Sequence, residues 1–330
     1  MLRIHFTVDD VARTRLAPGP APLWEAMLSL NRLRRRGGAA VFDAWRGRAR
    51  RVLPATTRML TDLAPATGYS VDFLTPYPAS TSLTVMLEQL RNTPLPRIRR
   101  DLFELCRQHR MQTLPRWTRS LLTGTTESVT QLALAAQRYF DACLAPYWTR
   151  VQAQVERDRA RRCRTLLARG WQEVLATLHP SARWHGGTLE VACPFDHEIR
   201  LDGRGLLLQP SFFCWGAPTT LLDPELPPQL VYPIEHSFDW LTCETGGSHD
   251  ALVTLLGRTR ANVLEAIAEC DCSTTELARR LELPAPTVSR QATILREANL
   301  ISSQRHGQVV LHAVTPVGSF LLDGQDAPAT

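Results

Sequence analysis

The chain of 330 residues contains no lysine; all 38 of its basic residues are arginine. A phosphate-binding Gly-rich loop with its lysine is therefore excluded. GxGxxG, HExxH and GxSxG are missing as well, so the usual marks of dinucleotide binding, zinc proteolysis and serine hydrolysis are not found. No run of about 18 apolar residues occurs, so no membrane span is expected. The start, MLRIHFTVDD, is charged and has no apolar h-region, so no signal peptide is expected. The eight cysteines (Cys106, Cys143, Cys163, Cys193, Cys214, Cys243, Cys270 and Cys272) are scattered, unlike the dense framework of small secreted domains. These absences set the expectation of a cytoplasmic protein that is not an enzyme, with no cofactor and no membrane partner.

What is present is a hydrophobic content of 44% and a charged content of 21%, as in globular proteins. The net charge of +6 fits an anionic partner without requiring one. Arginine, with its planar fork, suits phosphate and guanine contacts.

Leu2–Val8 alternates apolar and polar residues and predicts a strand. Leu23–Leu33 has a helical period and ends in Arg32, Arg34, Arg35 and Arg36 before Gly37 and Gly38. Arginines in a last turn favour the helix dipole, which accounts for this run better than a nucleic-acid contact does. Helices are expected onward to about residue 150. A long one over Val151–Leu178 follows, with Gly170 as a kink. Strands are predicted at Thr188–Val191, Glu198–Leu201, Gly205–Gln209 and Leu230–Pro233. Leu206–Leu208, Phe212, Phe213 and Trp215 are expected in a buried core. Trp24, Trp45, Trp117 and Trp148 are candidates to line a pocket, although core packing explains them as well. The fold class expected is mainly α with a small β portion (α+β). Residues 1–245 form a mostly helical N-terminal domain whose β portion lies near 183–234. Gly246, Gly247 and Ser248 are a linker, 250–322 a second domain, and 323–330 a polar tail.

The second domain is the most informative. Leu252, Leu255, Leu256, Val263, Leu264 and Ile267 share one face of a helix over Ala251–Glu269. Ser273 and Glu276 form a capping box that starts a short helix, closed by Leu283 and Pro284. A second short helix begins near Ala285, where Pro286 costs little. Its Val288, Ala292 and Leu295 must face inward. Thr287, Ser289, Arg290, Gln291 and Thr293 are then left for the outer side. Leu300–Val314 reads as a β-ribbon with Arg305 and His306 at its tip, and Val317–Leu322 as a last helix. This order is a winged helix-turn-helix, which places one helix in the DNA major groove.

LGRTRANVLEAI, TTELARRLEL, PTVSRQATILREANLISSQR and HAVTP resemble the winged helix-turn-helix of the ArsR family of transcriptional regulators. The resemblance covers residues 250–322. The whole chain also resembles long actinobacterial regulators that join such a domain to a large N-terminal part, on MLRIHFTVDDVARTR and LLQPSFFCWGAPTTL. The resemblance implies a DNA-binding homodimer, of the repressor type, on a near-palindromic operator of double-stranded DNA. The recognition helix would be 286–298 and the wing 301–314, with a small-molecule effector as a further possible partner. Three departures stand out: Glu282 at a turn position usually glycine, Pro284 in place of a Ser cap, and Gln291-Ala292 in place of a His-Leu pair.

Metal-sensing members carry a Cys-x-Cys that registers on Ser273 and Thr275 here. Cys270 and Cys272 come three residues earlier, and two thiolates make an incomplete site, so no metal is expected. A redox pair exposed in a loop is the lesser alternative for them. A zinc site composed from His185, Cys193, Asp196, His197, His236 and Cys243 matches no recurring spacing. The competing functional class is an enzyme or ligand-binding protein whose winged helix mediates protein contacts or dimerisation. Arginines and acidic residues nearly balance in the winged helix, so its basic groups must be segregated onto one face to bind DNA.

Overall fold

A computed structural model describes residues 1–322, except 78, 111–113, 194–195, 238–239, 242–246, 270–271 and 307–308. For 247–251, 269, 306, 309 and 320 it describes the backbone alone. The tail 323–330, Gly246, Cys243 and Cys270 lie outside the described residues. The architecture is mixed α+β, as the sequence patterns imply. The chain divides into two compact units, Met1–Trp240 and Leu241–Thr330.

The first unit opens with β1 (Leu2–His5), α1 (Val8–Arg13) and β2 (Arg15–Leu16). The expected strand to Val8 stops early for a local reason. The Thr7 hydroxyl accepts from Asp10 N at 3.2 Å, and Asp10 Oδ2 takes the Thr7 N–H at 2.8 Å. This capping box makes Val8 the first residue of a helix. Helices α2 (Pro22–Arg34), α3 (Ala39–Arg51), α4 (Thr57–Leu63), α5 (Leu83–Arg91) and α6 (Leu95–His109) follow. Then come α7 (Thr118–Thr123), α8 (Thr126–Cys143) and α9 (Trp148–Ala176). Gly170 takes φ 79° and ψ 178°, so α9 is kinked there, as expected, with a helical segment on either side.

The remaining strands of this unit are β3 (Arg183–His185), β4 (Thr188–Val191), β5 (His197–Arg200), β6 (Leu207–Ser211), β7 (Thr219–Thr220) and β8 (Gln229–Pro233). They form two sheets, ordered β3-β4-β1-β5 and β2-β6-β8-β7. β1 pairs antiparallel with β4 and parallel with β5, while β2 runs parallel to β6. The two N-terminal strands thus complete the β portion.

At the end of α2, arginines take up the free carbonyls. Arg34 Nε donates to Leu30 O at 3.1 Å, Arg46 Nε to Arg32 O at 2.6 Å and an Arg50 terminal nitrogen to Leu33 O at 2.8 Å. Phe42, Trp45, Phe212 and Phe213 are fully buried and pack ring against ring. Trp215 departs from the expected core: it is 36% exposed. Its ring packs edge-on against Phe42 and tilted against His236, beyond the end of β6. The four candidate pocket tryptophans serve separate ends. Trp45 donates to Cys143 O at 2.9 Å, Trp117 to Asp62 at 2.9 Å, and Trp148 packs edge-on against Phe140. Trp24 lines a cavity.

A buried carboxylate joins α2 to the chain after β6. Glu25 is 0% exposed, and its oxygens accept from the Ser211 hydroxyl at 3.0 Å, Phe212 N at 2.8 Å and Phe213 N at 2.9 Å.

The second unit contains α10 (Gly247–Leu256), α11 (Arg258–Glu269), β9 (Cys272–Ser273), α12 (Thr274–Arg280), α13 (Ala285–Glu297), β10 (Ile301–His306), β11 (Val309–Val314) and α14 (Pro316–Leu322). Its sheet is ordered β10-β11-β9, antiparallel throughout. Three expectations are corrected here. The single helix over Ala251–Glu269 is two, separated by Gly257 at φ 83°, and Leu255 is 66% exposed instead of sharing the buried face. Gly247 and Ser248 belong to α10, not to a linker.

Candidate nucleic-acid interface

The second unit is held by one cluster of buried apolar residues. α11 supplies Val263, Leu264 and Ile267, α12 supplies Leu277, and α13 supplies Val288, Ala292 and Leu295, with Leu300 and Ile301 after it. The i, i+4, i+7 spacing on α13 therefore fixes that helix's inner face. Gln291-Ala292 is accommodated: Ala292 is 2% exposed within the cluster.

Both short helices have defined ends. Ser273 Oγ accepts from Glu276 N at 3.2 Å, and Glu276 reaches back to Ser273 N at 3.3 Å, as the capping box predicts. After α12, Leu283 N returns to Ala278 O at 3.0 Å with Glu282 at φ 53°, a left-handed cap. Glutamate fits this turn at a cost that glycine would not carry. Glu282→Gly is expected to raise the stability of this unit by about 0.5–1 kcal/mol, the left-handed penalty less the extra unfolded-state entropy of glycine. A urea midpoint that falls instead would show that the Glu282 side chain contributes more than its backbone costs. Pro284 gives no side-chain cap to α13; Val288 N bonds Pro284 O at 3.1 Å. At the far end of α13, Leu300 N returns to Leu295 O at 2.9 Å with Asn299 at φ 57°.

The outer face of α13 presents Ser289 and Arg290, both exposed, with Thr287, Gln291 and Thr293 half-buried beside them. Arg290 makes no hydrogen bond or ion pair with a described residue. The Thr293 hydroxyl donates to Ser289 O at 3.0 Å, so it keeps only acceptor capacity toward the outside. The β10–β11 ribbon pairs Ile301 with Val314 through to His306 with Val309. Arg305 is exposed near its end, whereas the His306 side chain lies outside the described residues.

Sequence reasoning missed two groups here. Arg279, exposed in the last turn of α12, makes no side-chain hydrogen bond or ion pair with a described residue and lies next to the α12–α13 turn. The pattern ELARRLEL carried that signal. His312 is the other: it is 5% exposed, with Nε2 2.9 Å from the Thr274 hydroxyl and Nδ1 2.8 Å from the Ser303 hydroxyl. Burial, with Arg296 nearby, lowers its pKa and keeps the ring neutral. One side chain thereby ties both ribbon strands to the start of α12.

The thiol candidates do not form an exposed pair. Cys272 is buried in β9, opposite His312, because the strand turns it into the core. Among the described residues, no group of three or more His, Cys, Asp or Glu side chains is arranged to hold a metal. Of the zinc candidates, Asp196 pairs with the N-terminal ammonium at 2.9 Å and His236 Nε2 lies 2.6 Å from Phe212 O.

Among family models, that described as "Bacterial regulatory protein, arsR family" matches residues 257–303. No curated protein and no solved structure was found to match the chain. The matched segment runs from the break before α11, through α12 and α13, into β10. Helix order, buried face and sequence match agree: the C-terminal unit carries an arsR-family winged helix-turn-helix, the module of a DNA-binding transcription regulator.

Proposed function

We propose that the chain is a sequence-specific transcriptional regulator that reads a near-palindromic operator as a homodimer, in the cytoplasm. The observation that carries this reading is the two-sided character of α13. Val288, Ala292 and Leu295 are locked in the core, and the opposite side offers Arg290 with no partner among the described residues. In the groove, Arg290 takes guanine bidentately, Gln291 is placed for adenine, Thr287 and Ser289 offer hydroxyls to bases or phosphates, and Thr293 accepts from a base donor. Arg305 and His306 contact the backbone or minor groove from the wing, and Arg279 a phosphate. Two recognition helices set one helical turn apart match the symmetry of such an operator. The N-terminal unit supplies dimerisation and effector binding.

The test begins with a footprint on genomic DNA around the chain's own gene, at defined salt. On the site found, Arg290→Ala is expected to weaken binding by about 1–3 kcal/mol and to relax preference at one base pair. Arg279→Ala should weaken binding to all sequences alike and reduce the salt slope by about 1. Unchanged operator affinity for Arg290→Ala would remove α13 from the groove. Salt-independent binding, or none, would favour a protein-contact role for the winged helix.

A further inference from the structure

A cavity of about 410 Å³ opens in the N-terminal unit against one face of α2. Trp24, Met27, Leu28 and Asn31 share that face because a helical turn takes 3.6 residues. Val71 and Leu222 add to the apolar wall. Two wall residues have hydrogen-bonding capacity that the protein leaves unused. Trp24 is 6% exposed, and its indole N–H has no acceptor among the described residues. Asp72 is 4% exposed; its Oδ2 accepts from Leu222 N at 3.0 Å and Asp223 N at 2.8 Å. Its Oδ1 accepts no hydrogen bond from a described residue.

The charges around Asp72 do not balance it. Asp101 and Asp223 lie near it, and Arg97 and Arg100 pair with Asp223. Arg107, in the wall, is held by both oxygens of Glu104 at 2.8 and 2.6 Å. Burial and the neighbouring Asp101 push Asp72 up to about 7, the state of a carboxyl without a cation. A buried donor without an acceptor and a buried carboxyl without a cation each cost free energy that a suitable ligand recovers. Apolar walls with a few convergent polar groups are the usual make-up of a small-molecule site.

We propose that this cavity binds a small amphipathic organic amine. Its ammonium sits on Asp72 Oδ1, its apolar body against Trp24, Met27 and Leu222, and an oxygen of the ligand accepts from Trp24 Nε1. An acid of the same shape would meet Asp72 with like charge.

The test uses the full chain without DNA, so it stands or falls apart from the operator reading. Saturation-transfer NMR at pH 8 would compare tyramine and 5-hydroxytryptamine with 4-hydroxyphenylacetamide and 4-hydroxyphenylacetate. The two amines are expected to bind, the acid not at all and the amide weakly. Asp72→Asn should weaken the amines about tenfold or more and leave the amide unchanged, because only the charge pair is lost. Thr219→Phe, which narrows the cavity from β7, should weaken all three, and it decides the matter if Asp72→Asn fails to fold. The proposal is overturned if neither amine binds up to roughly 10 mM. It is equally overturned if the acid binds as well as the amines, or if Thr219→Phe leaves amine binding intact.

Discussion

Glu25→Ala is expected to destabilise the N-terminal unit by about 3–5 kcal/mol. The truncation leaves the Ser211 hydroxyl and the Phe212 and Phe213 N–H groups without an acceptor, in a place that water does not reach. Each orphaned donor costs about 1–3 kcal/mol, and relief of the buried charge offsets part of the sum. Burial raises the Glu25 pKa from 4.5 to about 7. The unfolded chain then releases this proton at lower pH than the folded one does. The group's contribution is therefore full below about pH 4.5 and is lost as pH rises toward 7. Asp72, raised to about 7, and Asp101, raised to about 6, add slopes of the same sign. Glu25→Gln does not titrate, so its melting temperature should fall less between pH 5 and 7 than that of the wild type. A Glu25→Ala melting temperature within about 2 °C of wild type would show that the three donors find other acceptors.

Gly318→Ala is expected to lower the stability of the C-terminal unit by about 2–3 kcal/mol. On an exposed helix the same change would stabilise by up to about 1 kcal/mol, so the sign is itself informative. The reason is a close approach of two backbones. A methyl group on Gly318 would overlap the Leu300 carbonyl oxygen and lie 2.8 Å from a Val314 methyl group. Neither neighbour can retreat cheaply, since Thr315 N bonds Leu300 O at 3.1 Å and Gly318 N bonds the Thr315 hydroxyl at 3.1 Å. Urea unfolding followed by a probe in the C-terminal unit would read the change. Equal or higher stability would mean that α14 moves away without loss.

The C-terminal unit was legible because its information is local. Ser273 and Glu276 lie within one turn, and Val288, Ala292 and Leu295 declare the buried face of α13 by spacing alone. Gly257 was the exception. A helical period continues across it, so only the backbone angle reveals the break. The N-terminal unit was less legible because its contacts join distant segments. β1 pairs with residues 188–191 and 197–200, and Glu25 bonds residues 211–213. No periodicity within Leu2–His5 or around Glu25 names those partners. The cavity on α2 was hidden for the same reason. Trp24 appeared among the aromatic candidates, but Asp72 and Leu222 become its neighbours only through the fold.

The His312 clamp bears on how long a complex with DNA would last. With both ring nitrogens engaged by Thr274 and Ser303, the base of the ribbon is set before any duplex arrives. Little ordering entropy is then left to spend there on docking, and weakening the clamp would shorten residence on the operator more than it slowed arrival.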